Sequence, residues 1–168
     1  MPSHKQRGVF LLEALIAILI FAFGILGIVA LGATAINAQS DAEYRTEAAN
    51  LASEIVGNIA ANVKRDKRLE PKVGFEVDVA ALASFEHQPG TGTALCEFSG
   101  SASSEALVSA WADRAGVMSA TNKALPGATD KQQIIINVAE NNRVTVTVCW
   151  KAPNDVALRR HTLVAYIN

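Results

Sequence analysis

Glu13 makes the strongest chemical demand in the sequence. It is the lone formal charge between Val9 and Ser40, set near the start of a stretch of alanine, leucine, isoleucine, valine and phenylalanine. A carboxylate there is costly in an apolar medium unless a cation meets it, and by default such a residue marks a functional site. The other candidates carry less. His4, His87 and His161 are the chain's three histidines, and none has a partner at metal-ligand spacing. Ser99, Ser101, Ser103 and Ser104 lack the strand–turn–helix glycine motif of a nucleophile and read as a loop and helix cap. Gly90-Thr91-Gly92 lacks the following helix and lysine of a phosphate loop. The sequence therefore predicts no catalytic residue, no metal and no cofactor, and a protein that is not an enzyme.

Cys96 and Cys149 are the only cysteines. Exported, they suit one structural disulfide; in the cytosol the same pair would be two free buried thiols. Of the 168 residues 50% are hydrophobic, yet 18% are charged and 6% aromatic, so the apolar excess is concentrated in one place. It lies between Ala14 and Ala33. The net formal charge of −1 gives no footprint for nucleic acid. Lys64, Arg65, Lys67 and Arg68 form the one internal cationic run and read as a solvated patch.

The apolar run, of roughly 20 residues, can span a bilayer. Lys5 and Arg7 ahead of it hold the N-terminus in the cytoplasm, so everything after Ala33 should lie on the far side. Beyond the run the pattern becomes amphipathic without a break. Ala48, Leu51, Ala52, Ile55, Ile59 and Val63 recur at helical spacing, and no proline occurs from Val9 to Lys64. One helix of roughly 55 residues, about 80 Å long, is expected.

Gly8 followed by Val9-Phe10-Leu11-Leu12-Glu13-Ala14-Leu15-Ile16-Ala17 resembles the prepilin signature of type IV pilins and pseudopilins. The resemblance implies cleavage by a prepilin peptidase between Gly8 and Val9, N-methylation of Val9, and a role for Glu13 in subunit assembly, where it meets a neighbour's N-terminal ammonium. The family usually has Phe and then Ser or Thr at the first two mature positions, whereas this chain has Val9 and Phe10. Phe21-Ala22-Phe23-Gly24-Ile25-Leu26-Gly27, the set Arg45, Ala48, Leu51 and Ala52, the step Ala61-Asn62 and the segment Leu125-Pro126-Gly127-Ala128 ahead of Val146-Thr147-Val148-Cys149-Trp150 are similar to PilV-like minor pilins. What this implies is a minor pilin in the inner membrane and the assembled pilus, taking part in priming or tip assembly. Its partners would be other major and minor pilins, the peptidase and the inner-membrane assembly platform. A minor pseudopilin of a type II secretion system shares the signature. An ordinary exported protein cut near Ala35 or Ala38, or a membrane-anchored binding module, is the reading from a different class.

The expected fold is α+β and pilin-like, a long N-terminal helix packed on a C-terminal antiparallel sheet. Its parts are a leader at 1–8, a membrane or fibre-core half-helix at 9–35, an amphipathic half at 36–65 and a head at 66–168. From Leu69 to Gly100 the prolines and glycines predict irregular chain with one short element at Phe75 to Val79. Ser103 or Ser104 should cap a helix from Glu105 to Ala115, closed by Gly116, with Leu107, Trp111 and Ala115 buried. Strands are expected at Gln132 to Ala139 and Arg143 to Lys151 around a two-residue turn at Asn141-Asn142, and at His161 to Ile167. Val144, Val146, Val148 and Trp150 should face the core, with Thr145, Thr147 and Cys149 on a more polar face.

Overall fold

The computed structural model describes residues 7–68, 74–117, 124–153 and 155–168, with the backbone alone at 7–9, 33 and 68; the leader residues 1–6 lie outside that description. The chain divides into two compact units, Met1–Ala42 and Glu43–Asn168.

The first helix, α1, runs Arg7–Asn62. Within the first unit its large side chains are exposed, among them Phe10, Leu15, Ile18, Phe21, Ile28 and Leu31. Among the described residues α1 is the one helix long and apolar enough to cross a membrane, and none of its most apolar stretch is buried.

In the second unit α1 behaves differently. Ala48, Leu51, Ala52, Ile55, Ile59 and Val63 are each no more than 4% exposed and form one side of the hydrophobic core. Their spacing puts all six on one helical stripe. Opposite them lies a three-stranded antiparallel sheet in the order β5 (Gln132–Asn137), β6 (Arg143–Trp150) and β7 (Arg159–Tyr166). Its even-numbered residues Ile134, Val144, Val146, Val148 and Trp150 complete the core. The α+β arrangement expected from the sequence is present at this level.

Between helix and sheet the chain makes more structure than its composition suggests. β1 (Arg65–Arg68) pairs with β2 (Gly74–Val77) in an antiparallel hairpin. The short helix α2 (Val79–Ala83) follows, capped by the Asp78 carboxylate, which accepts from the N–H groups of Ala80 and Ala81. Two-residue strands β3 (Gly90–Thr91) and β4 (Ser99–Gly100) close a loop.

Helix α3 (Ala106–Gly116) buries Val108, Trp111 and Ala115, while Leu107 is only partly buried. The expected serine cap is not made. Glu105 holds the N-cap position without a side-chain bond, and Ser103 Oγ instead donates to Ser84 O and accepts from Glu105 N–H. Trp111 Nε1 donates to Leu51 O at 2.9 Å, which fixes α3 against α1 inside the second unit. Gly116 serves close approach: a Cβ there would lie 2.9 Å from Thr129 Cα.

The connection between β5 and β6 also differs from expectation. β5 and β6 pair from Asn137 with Arg143, so the loop has a 3₁₀ turn at Val138–Glu140 before the two asparagines. Asn141 and Asn142 both adopt the left-handed conformation, at φ 57° and 51°, as their side chains allow.

Candidate functional site

Gly8, Val9 and Glu13 all fall within α1. Gly8 and Val9 have helical backbone, and Glu13 is exposed. The five residues from Gly8 to Glu13 rise about 7.5 Å along a helix axis. Cleavage between Gly8 and Val9 would therefore leave a new ammonium roughly one turn from the carboxylate. Around Glu13 the exposed neighbours are Phe10, Leu11, Leu12, Ile16 and, one turn further, Ala17 and Ile20. In water this carboxylate needs no partner. In an apolar surrounding it needs a cation, and nothing between Val9 and Ser40 supplies one.

Cys96 and Cys149, 53 residues apart in sequence, are joined in a disulfide with Cα atoms 6.1 Å apart. The bond draws the loop between β3 and β4 onto the sheet face opposite α1. There Cys96, Phe98 and Cys149 form a second small core with Leu158 against it. This corrects the expected alternation of β6. Thr147 and Cys149 are buried because the loop roofs that half of the strand, and Thr145 keeps the half-exposed character expected of the polar face. Cys96 takes a left-handed φ of 63°, a conformation that costs a non-glycine residue on the order of 1 kcal/mol.

His87, which reads in sequence as a loop residue, is buried and tied to the sheet. Its N–H donates to Ile134 O at 3.0 Å and its carbonyl accepts from Ile134 N–H at 2.8 Å. Nδ1 accepts the Ser103 N–H at 3.1 Å, so the ring is neutral with its proton on Nε2. Burial pushes its pKa below the ordinary value, and the charge of Asp130 opposes that in part. It lines a cavity of about 180 Å³ together with Ser103, Asp113, Asp130 and Gln132. Among the described residues no group of three or more histidine, cysteine, aspartate and glutamate side chains is placed to hold a metal ion.

The cationic run is divided by the fold. Arg65 is half-buried and structural: Nη1 donates to Ala60 O at 2.9 Å, closing the last turn of α1, and Nη2 donates to Asn168 O at 3.3 Å. Lys64 and Lys67 stay exposed. Asp155 and Arg159 form a paired-oxygen clasp at the start of β7, with contacts of 2.7 Å. That hydrogen bond holds the Asp155 carboxyl below the usual carboxylate range, helped by the Ala152 N–H and the charge of Arg45. Buried His87 and the disulfide roof are what residue-by-residue reading missed or saw only in part, since both depend on chain segments far apart in sequence. Compared with protein-family models, with curated proteins and with solved structures, the chain matches none.

Proposed function

We propose that this chain is a minor type IV pilin, a structural subunit made as a single-span precursor and trimmed between Gly8 and Val9. The exposed apolar part of α1 anchors it in the inner membrane with the head on the far side, and later lies in the fibre core. Glu13 is the observation that carries this reading: one exposed carboxylate on an otherwise uncharged apolar helix surface, at the fifth position after a glycine that ends a basic leader. Buried beside other helices, it sets axial register by meeting the N-terminal ammonium of the neighbouring subunit. The disulfide supports an exported head, since such bonds persist in oxidising compartments.

The head closes its core on the Ala48–Val63 stripe, and the subunit acts in the complex that primes or tips the pilus. The deciding measurement is the N-terminal residue of the mature protein isolated from membranes of its host, by mass spectrometry. A terminus at Val9, methylated or not, is expected. A terminus near Ile36 or Gln39 would make the chain a released, exported protein and end the fibre reading.

A further inference from the structure

β7 is one edge of the three-stranded sheet, and β5 is the other. The two edges are treated differently. The open side of β5 is occupied by the reciprocal backbone bonds between His87 and Ile134. Among the described residues no strand or bridge lies on the outer side of β7.

The phase of the ladder identifies the groups left open. Ile167 N–H donates to Asn142 O at 3.2 Å, and β7 pairs with β6 one to one over all eight residues. Hydrogen bonding alternates along an antiparallel strand, so the odd-numbered residues of β7 bond to β6. Arg160, Thr162, Val164 and Tyr166 therefore direct their N–H and C=O groups outward. The side chains of these same four residues are exposed, Val164 at 49% and Tyr166 at 57%.

Natural edges are blunted by proline, lysine, bulges or a covering loop. Among the described residues β7 has none of these: its sequence is Arg-Arg-His-Thr-Leu-Val-Ala-Tyr, its register is unbroken, and none of its eight residues is buried. Charge is confined to one end. Arg159 is held by Asp155, while no ion pair joins Arg160 among the described residues.

We propose that the open edge of β7 receives an extended segment of a neighbouring fibre subunit as a fourth strand. The segment presents a carboxylate to Arg160 and apolar side chains to Val164 and Tyr166. Backbone bonds to Arg160, Thr162, Val164 and Tyr166 supply the attachment, and the alternating side chains supply the choice of partner. The inference rests on the fibre reading for the identity of the neighbour alone.

The test uses the full-length chain in its host, with a photoreactive phenylalanine derivative placed in turn at 162, 164 and 166, and at 156 as an exposed control in the preceding loop. The expected result is crosslinks from the three β7 positions to residues spaced by two in one acidic, extended segment of another subunit, with none from 156. Val164→Pro removes an outward N–H and keeps the β6 ladder, and Val164→Lys blunts the edge while keeping every backbone bond. Val164→Pro should lower the yield from position 162 about tenfold, the loss expected for one or two interface hydrogen bonds, and Val164→Lys should lower it by putting a charge where the segment presents an apolar side chain. Unchanged thermal unfolding of the Val164→Lys head separates this loss from misfolding.

Crosslinks to β7 of a second copy, to lipid alone, or to residues without a two-residue step overturn the proposal, as does an unchanged yield in a folded Val164→Lys chain. A mature terminus at Val9 with no β7 crosslink removes the edge proposal and leaves the fibre reading standing. A terminus elsewhere removes the fibre reading whatever the crosslinks show.

Discussion

The two stretches of α1 face opposite demands with nearly the same residue types. From Phe10 to Leu31 leucine, isoleucine and phenylalanine lie all around the helix and are exposed, each large side chain at 48% or more. From Ala48 to Val63 the buried apolar residues, Ala48, Leu51, Ala52, Ile55, Ile59 and Val63, lie on one stripe, with Glu47, Ser53 and Glu54 outside it. A helix apolar on every side requires a medium or partners that are apolar on every side, whereas a stripe requires a single core. Apolar content alone therefore does not distinguish anchor from core; its angular distribution does.

The sharpest way to break that contrast is to remove the one charge from the uniform stretch. Glu13→Gln should leave processing and head stability unchanged but reduce fibre incorporation by on the order of a hundredfold or more, as for loss of one partner of a buried ion pair. Immunoblots of sheared fibres against membranes measure it. Next is the disulfide: Cys96→Ala with Cys149→Ala should cost the head on the order of 4 kcal/mol, from loop closure over the 53-residue separation. Denaturant unfolding in detergent reads this loss.

A matched pair of truncations sharpens the comparison itself. Ile55→Ala should destabilise the head by about 3 kcal/mol, because the residue is fully buried and leaves a cavity. Ile25→Ala should leave head unfolding within about 0.5 kcal/mol. Equal effects would mean that the stretches share one environment. Trp111→Phe keeps the aromatic bulk and removes only the donor to Leu51 O, so about 1 kcal/mol is expected by the same assay.

Titration should give the smallest effect. His87 in the folded head binds a proton less readily than in the unfolded chain, so its contribution to stability is present above about pH 6.5 and is lost as pH falls from there towards the folded value. Asp155 contributes above its ordinary value, and that contribution is lost as pH falls through the depressed one. Unfolding midpoints from pH 7.5 to 5 should therefore decline, and His87→Leu should flatten the slope.

What could be read from the sequence follows the same division between local and distant causes. The buried stripe of α1, β6 with its Val–Thr alternation, the left-handed asparagines and the cysteine pair are all set by neighbouring residues or by having a single possible partner. The β1–β2 hairpin was hidden because Arg65-Asp66-Lys67-Arg68 is charged throughout and shows no alternation; the strand exists because Arg65 is held by α1 and by the chain end. The cap of α3 went to Glu105 because Ser103 Oγ was claimed by Ser84 O, 19 residues away. For Glu13 the position is legible and the partner is not: no cation lies between Val9 and Ser40, so any partner has to come from outside that stretch.

Arg65 also ties together parts of the head that are far apart in sequence. Its guanidinium bridges Ala60 O and Asn168 O, the latter 103 residues on, and Ile167 beside Asn168 is a buried member of the core. A chain emerging N-terminus first can form the helical stripe early, but the residues that close it, Val108 and Trp111 of α3, Val144 to Trp150 of β6 and Ile167, follow much later in sequence. Such late, long-range closure makes folding slow relative to helix formation. It also makes a deletion of only Ile167 and Asn168 a defect of the entire domain.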